Sequence, residues 1–420
     1  MMMTNRQRVA RATGRRVAWP GLPLRCYDGL VMDELKLRYG CNPHQAPARV
    51  FTRDRALPLQ VLSGSPGYIN LLDALNAWQL VRELRSALKL PAATSFKHVS
   101  PAGAAVAVPM SKEVQRASFV DDLQLSPLAT AYARARGADR LCAFGDFAAL
   151  SDVVDVSTAN VLKREVSDGV IAPGYEPAAL EILRSKRNGT YCVLQIDPTW
   201  EAPESETREV FGIAFEQRRN QVVPGAEHLA NIVTQNRDLP ETAKRDLLLA
   251  LIILKYTQSN SVCFAYDGQA IGIGAGQQSR IHCTRLAGSK ADRWFLRQHP
   301  ATLALPFRTG VGRPEQNNAI DLFLEEALSP AEQADWLTYF ATAPTRLTSD
   351  EKRAWLSRQQ GVSLASDAFF PFRDNVDRAS QSGVKYISQP GGSVRDDVVI
   401  QAANEYGMVM AMSKLRLFHH

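Results

Sequence analysis

Apolar residues recur along this chain in two rhythms, one helical and one extended. Over 71–90, Leu72, Leu75, Leu80, Leu84 and Leu88 fall at helical spacing with Asp73 near the start, which predicts a helix. Residues 94–108 are small and β-branched, and Pro101, Ala102 and Gly103 interrupt them. They predict a strand, a tight turn and a packed segment. Short strands then alternate with helices: strands at 141–144, 169–172 and 191–196, helices at 158–166 and 177–187. This is the βαβ rhythm of an α/β layer fold. A polar stretch at 204–242 precedes a helix at 241–255, whose apolar part, 246–254, reads as a buried helix end. Residues 290–360 are rich in Trp, Leu, Glu and Ala and predict an inserted helical bundle. Within it, Ser349 and Asp350 mark a helix start.

The order strand, Pro-Gly loop, helix, strand occurs twice, at 169–196 and 383–412. Phe144–Phe147 and Phe369–Phe372 precede the two copies at comparable places, each followed by an Asp and a Val, at Asp152-Val153 and Asp374-Asn375-Val376. The repeat predicts a duplicated α/β module. The expected organisation is a basic arm at 1–30, a first module at 31–200, a connector at 201–245, a second module at 246–289 and 361–420, and the helical insertion at 290–360.

Composition excludes disordered and fibrous classes: of 420 residues, 45% are hydrophobic and 22% charged. No run of 18 apolar residues exists, so no membrane span is expected. The net charge of +6 owes much to Arg6, Arg8, Arg11, Arg15, Arg16 and Arg25, which lie in a stretch with no acid. That arm reads as disordered or loosely docked. An organellar transit peptide and an RNA-binding tail are the alternatives weighed. The six cysteines are scattered without a Cys-x-x-Cys pair, consistent with reduced thiols and a cytoplasmic address. No Walker loop and no zinc-ligand spacing is present, so chemistry without a catalytic metal is expected.

Several motifs could carry chemistry. SFKHVSPAG at 95–103 sets Lys97 beside His98 at a strand end. Imidazole can move a proton near neutral pH and ammonium can stabilise an oxyanion; a surface lysine and a satisfied core histidine is the plain alternative. GIGAGQQSR at 272–280 fails as a dinucleotide fingerprint, because its third glycine comes one place early. It could bring backbone toward a phosphate and end in the Arg280 fork, or it could be a glycine-rich turn. KYTQSNS at 255–261 offers Asn260 to an amide or carbonyl edge, or as a simple cap. DAFFPFRDN at 367–375 interleaves aromatic rings and acids, which suits a flat pterin or an ordinary core. In LRLFHH at 415–420, Arg416 between two leucines should meet an anion if buried.

Together with LRYGCNPHQ at 37–45, AYARARGADR at 131–140, FGDF at 144–147 and REVSDGVIAPGY at 164–175, these strings resemble the formyltransferase half of the bifunctional purine biosynthesis proteins. The resemblance spans about 35–420. The usual cyclohydrolase half is not found in it, so formyl transfer without ring closure is expected. It implies duplicated cytidine deaminase-like α/β/α modules and a homodimer with active sites at the subunit interface. The implied reaction moves a formyl group from 10-formyltetrahydrofolate to the amine of aminoimidazole carboxamide ribonucleotide (AICAR). Partners would be small-molecule substrates, with no nucleic acid and no membrane; a structural monovalent cation such as potassium fits the family.

Carried over by motif, catalysis falls to Lys97, His98 and Asn260. Ribonucleotide contacts fall on Arg38, Tyr39, His98, Gly145, Asp168, Asn260, Arg280 and Arg416. Folate contacts fall on Ile281, Phe369, Asp374, Ser393 and Val394, where QPGGSV departs from the family's usual small-residue loop. Alternatives are a relative using another formyl donor and, on GIGAG alone, a nucleotide-binding oxidoreductase.

Overall fold

A computed structural model describes residues 33–52 and 55–420. The basic arm expected at 1–30 lies outside the described residues. The first half begins with a small antiparallel pair, β1 (Glu34–Leu37) and β2 (Ala48–Phe51), then β3 (Leu59–Ser63). There follow α1 (Tyr68–Leu88), β4 (Ala92–Lys97), β5 (Ser100–Val106), α2 (Lys112–Ala117) and α3 (Pro127–Gly137). The half closes with β6 (Asp146–Leu150), α4 (Val156–Arg164), β7 (Ser167–Ala172), α5 (Pro177–Ser185) and β8 (Cys192–Ile196). A hairpin, β9 (Ser205–Val210) and β10 (Ile213–Arg218), leads to the second half.

The second half runs α6 (Glu241–Leu254), β11 (Val262–Tyr266), β12 (Gln269–Gly274) and α7 (Arg280–Leu296). Four helices interrupt it: α8 (Pro300–Leu303), α9 (Arg313–Leu324), α10 (Pro330–Leu337) and α11 (Ser349–Leu356). It ends with β13 (Val362–Ser366), α12 (Asp374–Ser380), β14 (Val384–Gln389), α13 (Asp396–Glu405) and β15 (Val409–Met412).

All strands from β3 onward except the β9–β10 hairpin join one sheet, in the order 15-14-13-11-12-5-4-6-7-8-3. In the first half β4 pairs antiparallel with β5 and β6, and β6, β7 and β8 run parallel. The second half repeats this pattern with β11, β12, β13, β14 and β15. The halves meet where β5 and β12 run antiparallel, Ala105 opposite Gln269.

Strand alternation distributes side chains to two faces. Phe147 and Ala149 join one core with α1 and α6, while Ala148 and Leu150 join another with α3, α4 and α5. In the second half α7, α12 and α13 cover that second face. Helix α6 is buried all round from Asp246 to Leu254, because it packs on the sheet and on α1 at once. The insertion has its own core around Ile320, Phe323, Trp336 and Phe340.

Glycine sets how closely helix and sheet approach. A Cβ on Gly103 would overlap the Ala135 carbonyl of α3, and one on Gly272 would overlap the Ala287 carbonyl of α7. Gly274 meets Cys283 in the same way. Gly272 and Gly274 of the GIGAG motif, both strand residues, therefore admit a helix, while Gly276 lies beyond the strand with φ 66°. Likewise Pro101 to Gly103 lie inside β5, and the turn expected there falls at His98 and Val99.

Other expectations shift too. Residues 141–144 form turns, with the strand beginning at Asp146. Phe147 is therefore in β6, whereas Phe369 to Phe372 follow β13, so the two aromatic motifs are not equivalent. Inside the expected connector the β9–β10 hairpin is exposed on nearly every residue, so no apolar alternation marks it in sequence. Helix α7 runs past 290 to Leu296. The buried stripe of α1 is Leu71, Ala74, Trp78 and Val81 with Ala77, Leu80 and Leu84, while Leu72 is exposed.

Arginines of the AYARARGADR motif hold this frame. Arg134 donates to the Asp267 carboxylate at 2.8 Å and to Gln269 at 2.8 Å, tying α3 to the other half. Arg136 pairs with Asp146 at 2.6 Å and Glu165 at 2.9 Å, and Arg140 with Glu165 at 2.9 Å. Burial would raise the Glu165 pKa, but Arg140 and Arg136 outweigh it and hold the carboxyl down to about 2 from an ordinary 4.5. The stability this charge contributes is complete above pH 4.5 and is lost as pH falls toward 2. Glu165→Gln should therefore cost about 3 kcal/mol at neutral pH, since each tenfold change in proton affinity is worth roughly 1.4 kcal/mol. In urea unfolding the gap should close as pH is lowered through that window; a gap independent of pH would deny the charge any role.

Candidate active site

Sheet register gathers the sequence motifs on one rim. The β4–β5 turn, the N-terminal ends of β6 and β7, the C-terminal end of β12, the start of β11 and the end of β13 all lie there. Phe96 is opposite Phe147, Asp146 opposite Ser167, and Val262 opposite both Gly274 and Ser366. Helix-to-strand loops supply the rest, because an antiparallel seam between two similar halves brings opposite strand ends to the same edge.

Lys97 ends β4 opposite Ser100, so His98 and Val99 alone make the turn. Their φ angles are 53° and 58°. A two-residue turn with both residues left-handed matches the twist of a hairpin and normally uses Asn-Gly or Asp-Gly. A β-branched residue such as Val99 is strained there, at about 1–3 kcal/mol per residue. The turn takes His98 off the strand alternation and leaves it exposed. The Lys97 ammonium donates to the Phe144 carbonyl, which leaves two of its three hydrogens for a ligand.

Asp73 lies under this turn. It shares the apolar stripe of Ala77, Leu80 and Leu84 and is 5% exposed. Its Oδ1 accepts the Val99 amide at 2.6 Å. Burial raises its carboxyl pKa, against the pull of the Val99 amide, the nearby His98 charge and the His98 amide; Asp168 pushes it up further. In sequence Asp73 reads only as an acid near a helix start. Its place in an apolar stripe is the signal that could have found it.

Beyond Phe144, Gly145 turns with φ 71° and a Cβ there would sit 4.0 Å from the Asp168 carboxylate. Asp168 accepts from Arg187 at 3.0 Å, a residue no sequence motif singles out. Lys97, His98, Gly145 and Asp168 are thus brought together.

The second cluster is on the other side of the seam, joined to the first where the Gln258 amide donates to Ser100 Oγ at 3.4 Å. Asn260 Nδ2 donates to the Gln277 carbonyl at 2.8 Å, and its Oδ1 accepts from Arg280 at 2.7 Å. Arg280, at the start of α7, also pairs with Asp367 and donates to the Ser261 carbonyl at 3.1 Å. Asp367 is fully buried and further accepts from Ser259 Oγ at 2.6 Å and the Ser261 amide at 2.9 Å. The tail is sewn onto this knot: Leu417 donates to the Asp367 carbonyl at 2.9 Å and His419 to Ser259 Oγ at 3.0 Å. The Arg280 fork expected to hold phosphate is thus occupied by a buried carboxylate, which needs a cation. Asp367 opens the aromatic motif whose acids suit a ligand in sequence, and it serves the fold instead.

Arg416 is exposed, stacks at 5.0 Å over Phe418, and lines a cleft of about 460 Å³ with Lys414, Gly391 and Gly392. The leucine on its C-terminal side, Leu417, is buried in its place. Of the folate set, Ile281 lies on α7 and Asp374 on α12, two helices joined where the Thr284 hydroxyl donates to Asn375 at 2.7 Å. Phe369 is 41% and Val394 99% exposed. Arg395 stacks at 5.4 Å over Phe372, joining the loop of Ser393 and Val394 to the aromatic motif. Arg38 is exposed and lies 6.0 Å over the Tyr39 ring. Among the described residues, no hydrogen bond joins Arg38 or Tyr39 to the Lys97 hairpin.

An α/β protein with a polar site spread along one rim of a two-half sheet is the class so defined. The profile of the AICARFT/IMPCHase bienzyme matches residues 23–290, and the chain belongs to that family. The bifunctional purine biosynthesis protein PurH of Magnetococcus marinus is 31% identical over 394 residues, covering 91% of this chain and 59% of the relative. That of Xylella fastidiosa is 31% identical over 393 residues, covering 92% and 58%. The chain thus spans under three-fifths of the length of these relatives.

Removing the cation from the buried knot should be costly. Arg280→Ala should lower unfolding stability by about 3–5 kcal/mol in urea, since it strands the Asp367 carboxylate. Arg280→Lys should recover only part, because an ammonium cannot serve Asp367, Ser261 and Asn260 together. Wild-type stability in Arg280→Ala would rule out the structural role.

Proposed function

We propose that this chain transfers a formyl group from 10-formyltetrahydrofolate to the 5-amino group of AICAR in purine biosynthesis. The observation that carries the reading is the Lys97–His98 turn, set on the rim between Gly145 and Asp168 on one side and Asn260 on the other. Family membership supports it. Gly272 and Gly274 of GIGAG are used for helix packing, which weakens the one feature favouring a nicotinamide-dependent oxidoreductase.

The amine of an aromatic carboxamide is a weak nucleophile. Its nitrogen attacks the formyl carbon, the C–N10 bond breaks, and one proton passes from the amine to N10. His98 is exposed at the turn and takes the amine proton. Lys97, with two free hydrogens, stabilises the tetrahedral oxyanion and supplies a proton toward N10. Asn260 has one amide hydrogen and one lone pair left over, enough to orient the carboxamide or formyl oxygen. Asp168 and the open backbone at Gly145 receive the ribose side, with Tyr39; Arg38 and Arg416 provide exposed cations for the phosphate. Arg280 acts through Asn260 and Asp367. Ile281, Phe369, Asp374, Ser393 and Val394 form the folate side.

The repeated pairing pattern favours a duplicated cytidine deaminase-like module. A homodimer placing its sites at the subunit interface and a cytoplasmic address complete the reading. A structural monovalent cation would find oxygen ligands beside Asp367, where Ser261 Oγ is buried without a partner.

An absorbance assay of tetrahydrofolate release, with AICAR and 10-formyltetrahydrofolate, tests the function directly. In it His98→Ala should lose about 10²–10⁴-fold in kcat while nucleotide affinity by calorimetry stays within about threefold. Near-normal turnover in that variant removes His98 from the chemistry. Absence of release by wild type, with release from another formyl donor, would favour the alternative donor.

A further inference from the structure

We propose that Asp73 is the positioning residue of this site: its buried carboxylate clamps the left-handed His98–Val99 turn through the Val99 amide and so aims Lys97 and His98. Only the kinetic part of its test rests on the formyl transfer proposed above.

The second half of the molecule contains the same device in another use. Asp73 is the sixth residue of α1, and Asp246 is the sixth residue of α6. Both are buried, at 5% and 3% exposure. Asp246 Oδ1 accepts the Gly268 amide at 2.8 Å, as Asp73 Oδ1 accepts the Val99 amide at 2.6 Å. Gly268 and Asp267 form the β11–β12 turn with φ 78° and 49°, as Val99 and His98 form the β4–β5 turn with 58° and 53°. In each half a helix carboxylate thus holds the second amide of a two-residue hairpin turn.

The differences locate the function. The β11–β12 turn is Asp-Gly, which takes this conformation unaided. Its clamp is neutralised, since Arg245 pairs with Asp246 at 2.9 Å and lies near Asp267. The β4–β5 turn is His-Val, which resists the conformation, and the charged groups that bear on its clamp are His98 and Asp168. A carboxylate buried in an apolar stripe is expensive unless hydrogen-bonded, and the bond it makes is to the residue least suited to the turn. A helix-dipole role does not account for it, because that effect fades within the first turn of a helix. The clamp therefore stands in for the missing glycine, leaving the turn free to carry an imidazole.

The test compares Asp73→Ala, Asp73→Asn, Val99→Gly and the double variant Asp73→Ala/Val99→Gly. Asp73→Ala should lower kcat about 10–100-fold, the loss expected when catalytic groups drift by an ångström, with nucleotide KM within about threefold because Asp73 does not touch substrate. Asp73→Asn, which keeps an acceptor without charge, should fall between. Val99→Gly, which supplies the residue found in the sister turn, should restore most of the loss in the Asp73→Ala background. A merely structural Asp73 would give loss of melting temperature without rescue by Val99→Gly, and that result overturns the proposal.

A measurement without substrate keeps the two readings apart. In protein labelled with ¹⁵N-valine, the Val99 amide proton should move upfield in Asp73→Ala and Asp73→Asn. If it moves while wild type transfers no formyl group, the clamp stands and the function proposed above fails. If it does not move, the clamp fails whatever the activity.

Discussion

Between Lys97 and Ser100 the chain reverses in two residues, both left-handed and neither a glycine, and the placing of the reactive side chains follows from that turn. An ordinary strand would send Lys97 and His98 to opposite faces of the sheet. The turn takes His98 out of the alternation and leaves the Lys97 ammonium on the Phe144 carbonyl, next to Gly145 and Asp168. Strain of this kind persists only where the surroundings over-determine it. Here α1 lies beneath the turn and β5 and β6 flank β4.

The sheet turns that local arrangement into a site. Two similar halves meet antiparallel at β5 and β12, so the start of one half's parallel strands and the end of the other's share a rim. Close packing of α3 and α7 on the sheet, made possible by Gly103 and Gly272, keeps both halves thin at the seam. Arg134 then crosses from α3 to the β11–β12 turn and ties one half to the other.

Charge is used differently in the two halves. In the first, Arg136, Arg140, Asp146 and Glu165 neutralise each other inside the fold, leaving Lys97, His98 and Asp168 at the surface of the rim. In the second, Arg280 and Asp367 form the buried knot that fixes Asn260 and the C-terminal tail. Both groups lie in polar strings that look alike in sequence, yet only the partly exposed members have hydrogen-bonding capacity left for a ligand.

Local rhythm determined the α/β class, helices α4, α5, α6 and α11, and the repeat of β7–α5–β8 in β14–α13–β15, because apolar spacing reports which face of an element is covered. Motif chemistry marked Lys97, His98 and Asn260 as polar groups in unusual company, and the family resemblance added Asp168. Only tertiary structure decided what the glycines and arginines do. Gly272 and Gly274 look the same in sequence whether a phosphate or a helix approaches them, and α7 approaches. Arg280 and Arg416 are equal as cations until Asp367 buries one and Phe418 leaves the other at the surface. Asp73 was an acid near a helix start until the fold laid a hairpin turn across it, since which distant backbone amide meets a side chain depends on how elements pack rather than on their own residues.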